Sequence, residues 1–198
     1  MSEQDGIVEA DERDVVLRVT DLEKTFGGIT AVDGAAFEVE RGTMTGLIGP
    51  NGAGKSTTFN CITGTHTPDG GTVEFDGQNI TGLEPYEVTQ TGLARTFQIP
   101  RELAEMTVLE NLMVAPMDQG GESLFRAVLP GLRSGVKREE AAVLEDAWET
   151  LEFFDIAHLA EERAGALSGG QRKLLELARV LMTDPDMVLL DEPFAGVN

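Results

Sequence analysis

Gly49-Pro50-Asn51-Gly52-Ala53-Gly54-Lys55-Ser56 lies between an apolar run, Thr43 to Ile48, and a stretch from Ser56 to Thr63 that reads as the start of a helix. The octet fits G-x-x-x-x-G-K-[ST], and strand, loop, helix is the setting that a phosphate-binding loop requires. Its glycines let backbone N–H groups converge on a β-phosphate, and the helix N-terminus adds the positive end of its dipole. Lys55 brings a cation to the β- and γ-phosphates, and Ser56 offers a hydroxyl to Mg²⁺. Thr57 belongs with the loop residues as a nucleotide contact. The plain alternative is a flexible glycine-rich turn, but a chance match in a chain of this composition is expected at only roughly 0.6%.

Outward from the loop, Val15 to Thr20 and Ala35 to Glu40 alternate as strands do, and Thr72 to Phe75 and Leu93 to Gln98 read as shorter strands. The first third is therefore α/β. From Thr107 the pattern turns helical: Leu144, Ala147, Trp148, Leu151 and Phe154 recur at spacings of three and four and predict one apolar stripe. Pro116 to Val136, with its glycines and prolines, reads as a loop or broken helix. Gln171 to Met182 is a further helix ended near Asp184-Pro185, and Met187 to Leu190 is a buried strand that returns to the α/β core. The expected organisation is a loosely ordered acidic tail over 1–14, the first part of a nucleotide-binding core over 15–98, a helical subdomain over 99–170, and a return to the core over 171–198.

Met187-Val188-Leu189-Leu190-Asp191-Glu192 delivers two carboxylates to the carboxyl edge of a parallel sheet, where ligands bind in such folds. Asp191 suits a metal, and Glu192 suits a general base that polarises the attacking water. Upstream, Ser168 and Gln171 have the spacing of a capping box, and Gly169 and Gly170 between them bare a helix N-terminal anion site. In isolation a strand ending in solvated acids and a simple helix cap would explain both stretches. The phosphate loop in the same chain favours the chemical reading.

The chain has 35 acidic residues against 15 basic ones, four of them Lys, for a net charge of -20. No segment clusters Lys and Arg, so a nucleic-acid partner is not expected. Acidic excess with little Lys resembles proteins of salt-loving organisms, where ionic strength screens self-repulsion. No aliphatic run approaches the roughly 20 residues of a membrane-spanning helix. The acidic start lacks a secretory signal, and the single cysteine, Cys61, allows no intrachain disulfide, so a reducing cytoplasm is expected.

Leu167-Ser168-Gly169-Gly170-Gln171 resembles the signature of ABC ATPases, and Gln171 stands 20 residues before Asp191, as in that family. The resemblance implies a three-layer α/β P-loop NTPase domain with an antiparallel β portion near the N-terminus and a helical subdomain. It implies ATP with Mg²⁺, and a dimer in which Ser168, Gly169, Gly170 and Gln171 meet the γ-phosphate bound by a second ATPase subunit, identical or paralogous. It also implies that Gln98, ending RTFQ, reaches Mg²⁺ and the attacking water, and that Phe26 sets its ring against adenine. A core phenylalanine is the plain reading of Phe26.

Within that family, FGGITAVDG, LIGPNGAGKSTTFNCITG, LARTFQ, MTVLENLMVAP and LLDEPFAGVN look like the branched-chain amino acid transport ATP-binding subunit. That likeness implies two transmembrane permease subunits, an extracytoplasmic solute-binding protein, and a place on the inner face of the cell membrane. Urea or another small polar solute is the rival cargo. The family's switch histidine lies beyond the second acidic site, and the chain stops six residues after Glu192. Truncation is therefore expected, with ATP binding without hydrolysis as the alternative activity.

Overall fold

The computed structural model describes residues 14–96, 103–116 and 133–191, with side chains from 140 onward in the last stretch. These residues fall into two compact units that divide after Thr91.

The first unit is built on an antiparallel sheet in the order β2-β1-β3-β4, formed by β1 (Val15–Phe26), β2 (Ile29–Glu40), β3 (Gly70–Phe75) and β4 (Gln78–Asn79). Leu17, Val19, Leu22, Val73 and Phe75 are all buried on it. β1 and β2 are each 12 residues long, twice the extent that alternation suggests. A bulge explains this: between Val19 and Leu22, β1 advances by one residue more than its partner, and Asp21 there has φ 47°. The extra residue resets the two-residue period, so the pattern breaks at Thr20 while the pairing continues. Gly71 faces the bulge, where a Cβ would come within 2.3 Å of the Asp21 carbonyl oxygen. Helices α1 (Lys55–Ile62) and α2 (Pro85–Gln90) complete the unit, α2 starting from a capping box between Glu84 and Glu87.

One expected strand does not form. Thr43 to Ile48 is irregular chain, with Met44 and Ile48 almost fully exposed. A strand's N–H and C=O groups must be met by neighbouring strands, and among the described residues none pairs with this stretch.

The second unit holds a parallel pair, β5 (Leu93–Arg95) and β6 (Met187–Leu189), and helices α3 (Val108–Met113), α4 (Arg133–Phe153) and α5 (Gly169–Leu181). Its apolar core joins Val108 and Leu112 of α3, Ala147 and Leu151 of α4, and Leu175 and Ala178 of α5. Only the middle of the expected α4 stripe is fully buried: Leu144 and Trp148 lie at its margin, each 38% exposed, and Phe154 follows the helix end. Buried Asn111 ties the segment before α3 in place. Its amide nitrogen donates to the carbonyls of Leu103 and Thr107, and its oxygen accepts from Leu103 N–H. Arg133 to Val136, expected as loop, opens α4, while residues 117–132 of that expected loop lie outside the described residues. β6 is shorter than expected: Leu190 lies past its end and is 42% exposed.

Candidate functional site

In the first unit the loop from Gly49 to Gly54 leads directly into α1, with Gly54 as its N-cap. Gly52 and Gly54 have φ of 82° and 84°, values open to glycine without strain. At Gly54 there is a second demand. A Cβ would lie 2.2 Å from the carbonyl oxygen of Ala31, which bulges from β2 between Thr30 and Val32. The Lys55 ammonium folds back over the loop and donates to the carbonyls of Gly49 at 2.7 Å and Pro50 at 2.9 Å. Ala53 N–H donates to Pro50 C=O, which closes the turn around Asn51 and Gly52. Ser56 is exposed in the first turn of α1 and Thr57 half-buried beside it.

Phe26 is not a core residue. It ends β1 at the hairpin tip, where Gly27 and Gly28 both have positive φ, and its ring is 42% exposed. His66 meets that ring at 5.2 Å between centroids and 71° between planes. The Lys24 ammonium lies 5.4 Å from the ring centroid and donates to Thr67 C=O and an Asp69 carboxylate oxygen. The Asp69 carboxyl sits below its ordinary range because Lys24, and after it the backbone N–H of Thr25, hydrogen-bond to the ionised form. Buried Cys61 behaves in the opposite sense: removal from water pushes its thiol up, so it stays protonated.

In the second unit the parallel register sets Arg95 beside Leu189, so that both strands release their chains at one edge. Asp191 there accepts a 2.8 Å hydrogen bond from the Arg95 guanidinium, both side chains being largely buried. Thr96, fully buried, donates its N–H to Leu189 C=O and receives Asp191 N–H on its hydroxyl. Glu192 and Gln98 lie outside the described residues. Ser168 caps α5 as its sequence predicts: its hydroxyl accepts from Gln171 N–H, and the Gln171 side chain accepts from Ser168 N–H at 2.9 Å. The helix starts at Gly169, two residues earlier than the expected Gln171, because the cap residue fixes the first turn. Space is open where a Cβ would stand on Gly169 or Gly170.

Three participants escaped sequence reading. Lys24 had a faint signal, since it stands two residues before Phe26 on a strand, where alternate residues share a face. Arg95 and His66 had none. Only the register of β5 against β6 and the path of the chain after α1 bring them to Asp191 and Phe26.

The model of the ABC transporter family matches residues 32–195, which hold the phosphate loop, the capped glycine turn and the acidic strand end. The chain belongs to the ABC transporter family. Among ABC relatives, the "Probable branched-chain amino acid transport ATP-binding protein LivG" of Methanocaldococcus jannaschii is 46% identical over 182 residues, 92% of this chain and 69% of the relative. The high-affinity branched-chain amino acid transport ATP-binding protein BraF of Pseudomonas aeruginosa is 42% identical over 185 residues, 92% of this chain and 71% of its own. A solved ADP conformation of an ATP-binding cassette of an ABC transporter superposes with TM-score 0.75 at 45% identity, covering 93% of this chain and 71% of that one. The α/β cassette fold and the family's ATPase activity thus apply to this ABC chain, which is homologous to branched-chain amino acid transport ATP-binding proteins. No helix among the described residues is long and apolar enough to cross a membrane.

Proposed function

We propose that this chain is the ATP-hydrolysing subunit of an importer for branched-chain or other hydrophobic amino acids, held by two permease subunits at the inner face of the membrane. The observation that carries the reading is the phosphate loop: two glycines in a conformation suited to them and a lysine already curled over the loop it serves. The cargo rests on the names borne by its relatives.

In this reading the loop N–H groups from Gly49 to Lys55, with Pro50, Asn51 and Ala53 shaping the turn, cradle the β-phosphate, and Phe26 stacks on adenine. Lys55 transfers its hydrogen bonds from the loop carbonyls to phosphate oxygens. Ser56 in the first unit offers a hydroxyl, and Asp191 in the second a carboxylate, each a hard oxygen donor of the kind Mg²⁺ takes, and Gln98 is a further oxygen in the sequence. When bound, Mg²⁺ would neutralise charge on the β- and γ-phosphates. Glu192 orients water for attack on the γ-phosphorus and accepts its proton as the bond to the β–γ bridging oxygen breaks and ADP leaves, while Ser168 and the N–H groups of Gly169 and Gly170 from the second ATPase subunit receive the developing charge. An extracytoplasmic solute-binding protein would deliver the amino acid to the permeases.

The test is reconstitution with permeases in vesicles, reading ATP turnover and uptake of leucine against urea. Glu192→Gln is expected to keep ATP binding and to slow turnover by about 100-fold or more. Undiminished turnover removes Glu192 from this role, and ATP binding with no hydrolysis in the wild type would leave a nucleotide-binding module. Urea uptake without leucine uptake would overturn the cargo.

A further inference from the structure

An aromatic ring at a hairpin tip turns freely about its side-chain bonds unless something holds it, and a base can stack well only on a ring whose plane is already set. The tip of the β1–β2 hairpin carries such holders. The imidazole of His66 packs edge to face on Phe26, an arrangement that the ring quadrupoles favour. The Lys24 ammonium stands over the same ring. Neither group is loose. Lys24 is fixed by Thr67 C=O and Asp69, and Asp69 is itself tied to β1 through Thr25 N–H and through its own N–H to Glu23 C=O. His66 donates its backbone N–H to Asn60 C=O, in the last turns of α1. Residues 64–69 therefore form a strap from the helix that the phosphate loop feeds to the ring at the hairpin tip. Gly64 allows the strap to start tightly, because a Cβ there would come within 2.1 Å of Leu83 C=O.

We propose that His66 is a positioning residue for nucleotide binding, setting the Phe26 ring in the plane on which a purine base stacks and linking that plane to the helix of the phosphate loop. The proposal rests on the reading of Phe26 as the base platform. Phe26 touches the base and His66 acts through it. Lys24, held by Asp69, is a second neighbour of the same ring.

The base and the phosphates can be separated experimentally. Binding of ATP and of inorganic tripolyphosphate, both with Mg²⁺, is measured by calorimetry for wild type, Phe26→Ala, His66→Ala and His66→Phe. Phe26→Ala is expected to remove most of the preference for ATP over tripolyphosphate. His66→Ala should weaken ATP by roughly 3- to 10-fold, the scale of an edge-to-face aromatic pair, while tripolyphosphate binding stays at its wild-type value. His66→Phe, which keeps an aromatic edge, should restore ATP binding. Retained tripolyphosphate binding also shows that the phosphate loop is folded in each variant. If Phe26→Ala loses the preference and His66→Ala keeps it, the inference about His66 fails and the platform reading survives. If His66→Ala weakens both ligands equally, His66 is only structural and the inference again fails. If Phe26→Ala leaves the preference intact, the platform reading fails and takes the inference with it.

Discussion

Asp69 shows how one side chain reports on the hairpin tip. Its carboxyl sits below the ordinary value of 3.8 because Lys24 and Thr25 N–H favour the ionised form. The folded chain therefore binds this proton less readily than the unfolded chain. The stabilisation is complete above the ordinary value and drains away as pH falls from 3.8 through the lower folded value. Asp69→Asn is expected to lower the melting temperature at neutral pH, with the gap to wild type narrowing as the solution is acidified below that point. A gap that stays constant across the acid range would show that the Lys24 and Thr25 bonds do not govern this carboxyl. No local pattern in the sequence singles out Asp69, because its partners lie more than 40 positions away.

At the scale of elements, the phosphate loop is as much a product of β2 as of its own motif. Gly54 satisfies two conditions at once: a left-handed φ of 84° and the approach of the bulged Ala31 carbonyl. Gly28 meets only the first, with φ 87° and nothing within 4 Å of the Cβ position. Comparing alanine at the two sites isolates the close approach. Gly28→Ala should cost about 1 kcal/mol, the usual penalty for a left-handed alanine. Gly54→Ala should cost clearly more, about 2 kcal/mol or beyond, because β2 or α1 must shift as well. Equal losses in urea unfolding would mean that β2 yields at no cost. The capped helices tell a simpler story. Ser168 with Gln171 forms the box that its spacing predicts, and the structure adds a second between Thr107 and Glu110, since a cap is decided within four residues.

For the whole molecule, charge is the dominant quantity. Among the described residues Arg18, Lys24, Arg41, Arg95, Arg163 and Lys173 stand in ion pairs, yet the net charge of -20 already counts every cation, so the acidic excess remains. Self-repulsion of this kind loosens a compact state and is relieved by screening. Raising salt from about 0.1 M to about 1 M shortens the screening length from about 10 Å to about 3 Å. The melting temperature should rise by several degrees over that interval. A flat or falling curve would show that repulsion is not what limits stability.

The order of motifs, the phosphate loop, the helix caps and the family resemblance were legible in the residues alone, because each depends on neighbours within a few positions. Tertiary structure decided the rest. It ended the strand that Thr43 to Ile48 predicts, since a strand exists only where another meets its backbone. It carried β1 and β2 through bulges that alternation cannot show, and it left Phe26 exposed at the hairpin tip. It also brought Arg95 to Asp191 across 96 positions and His66 to Phe26 across 40, contacts set by register and chain path and by no local pattern.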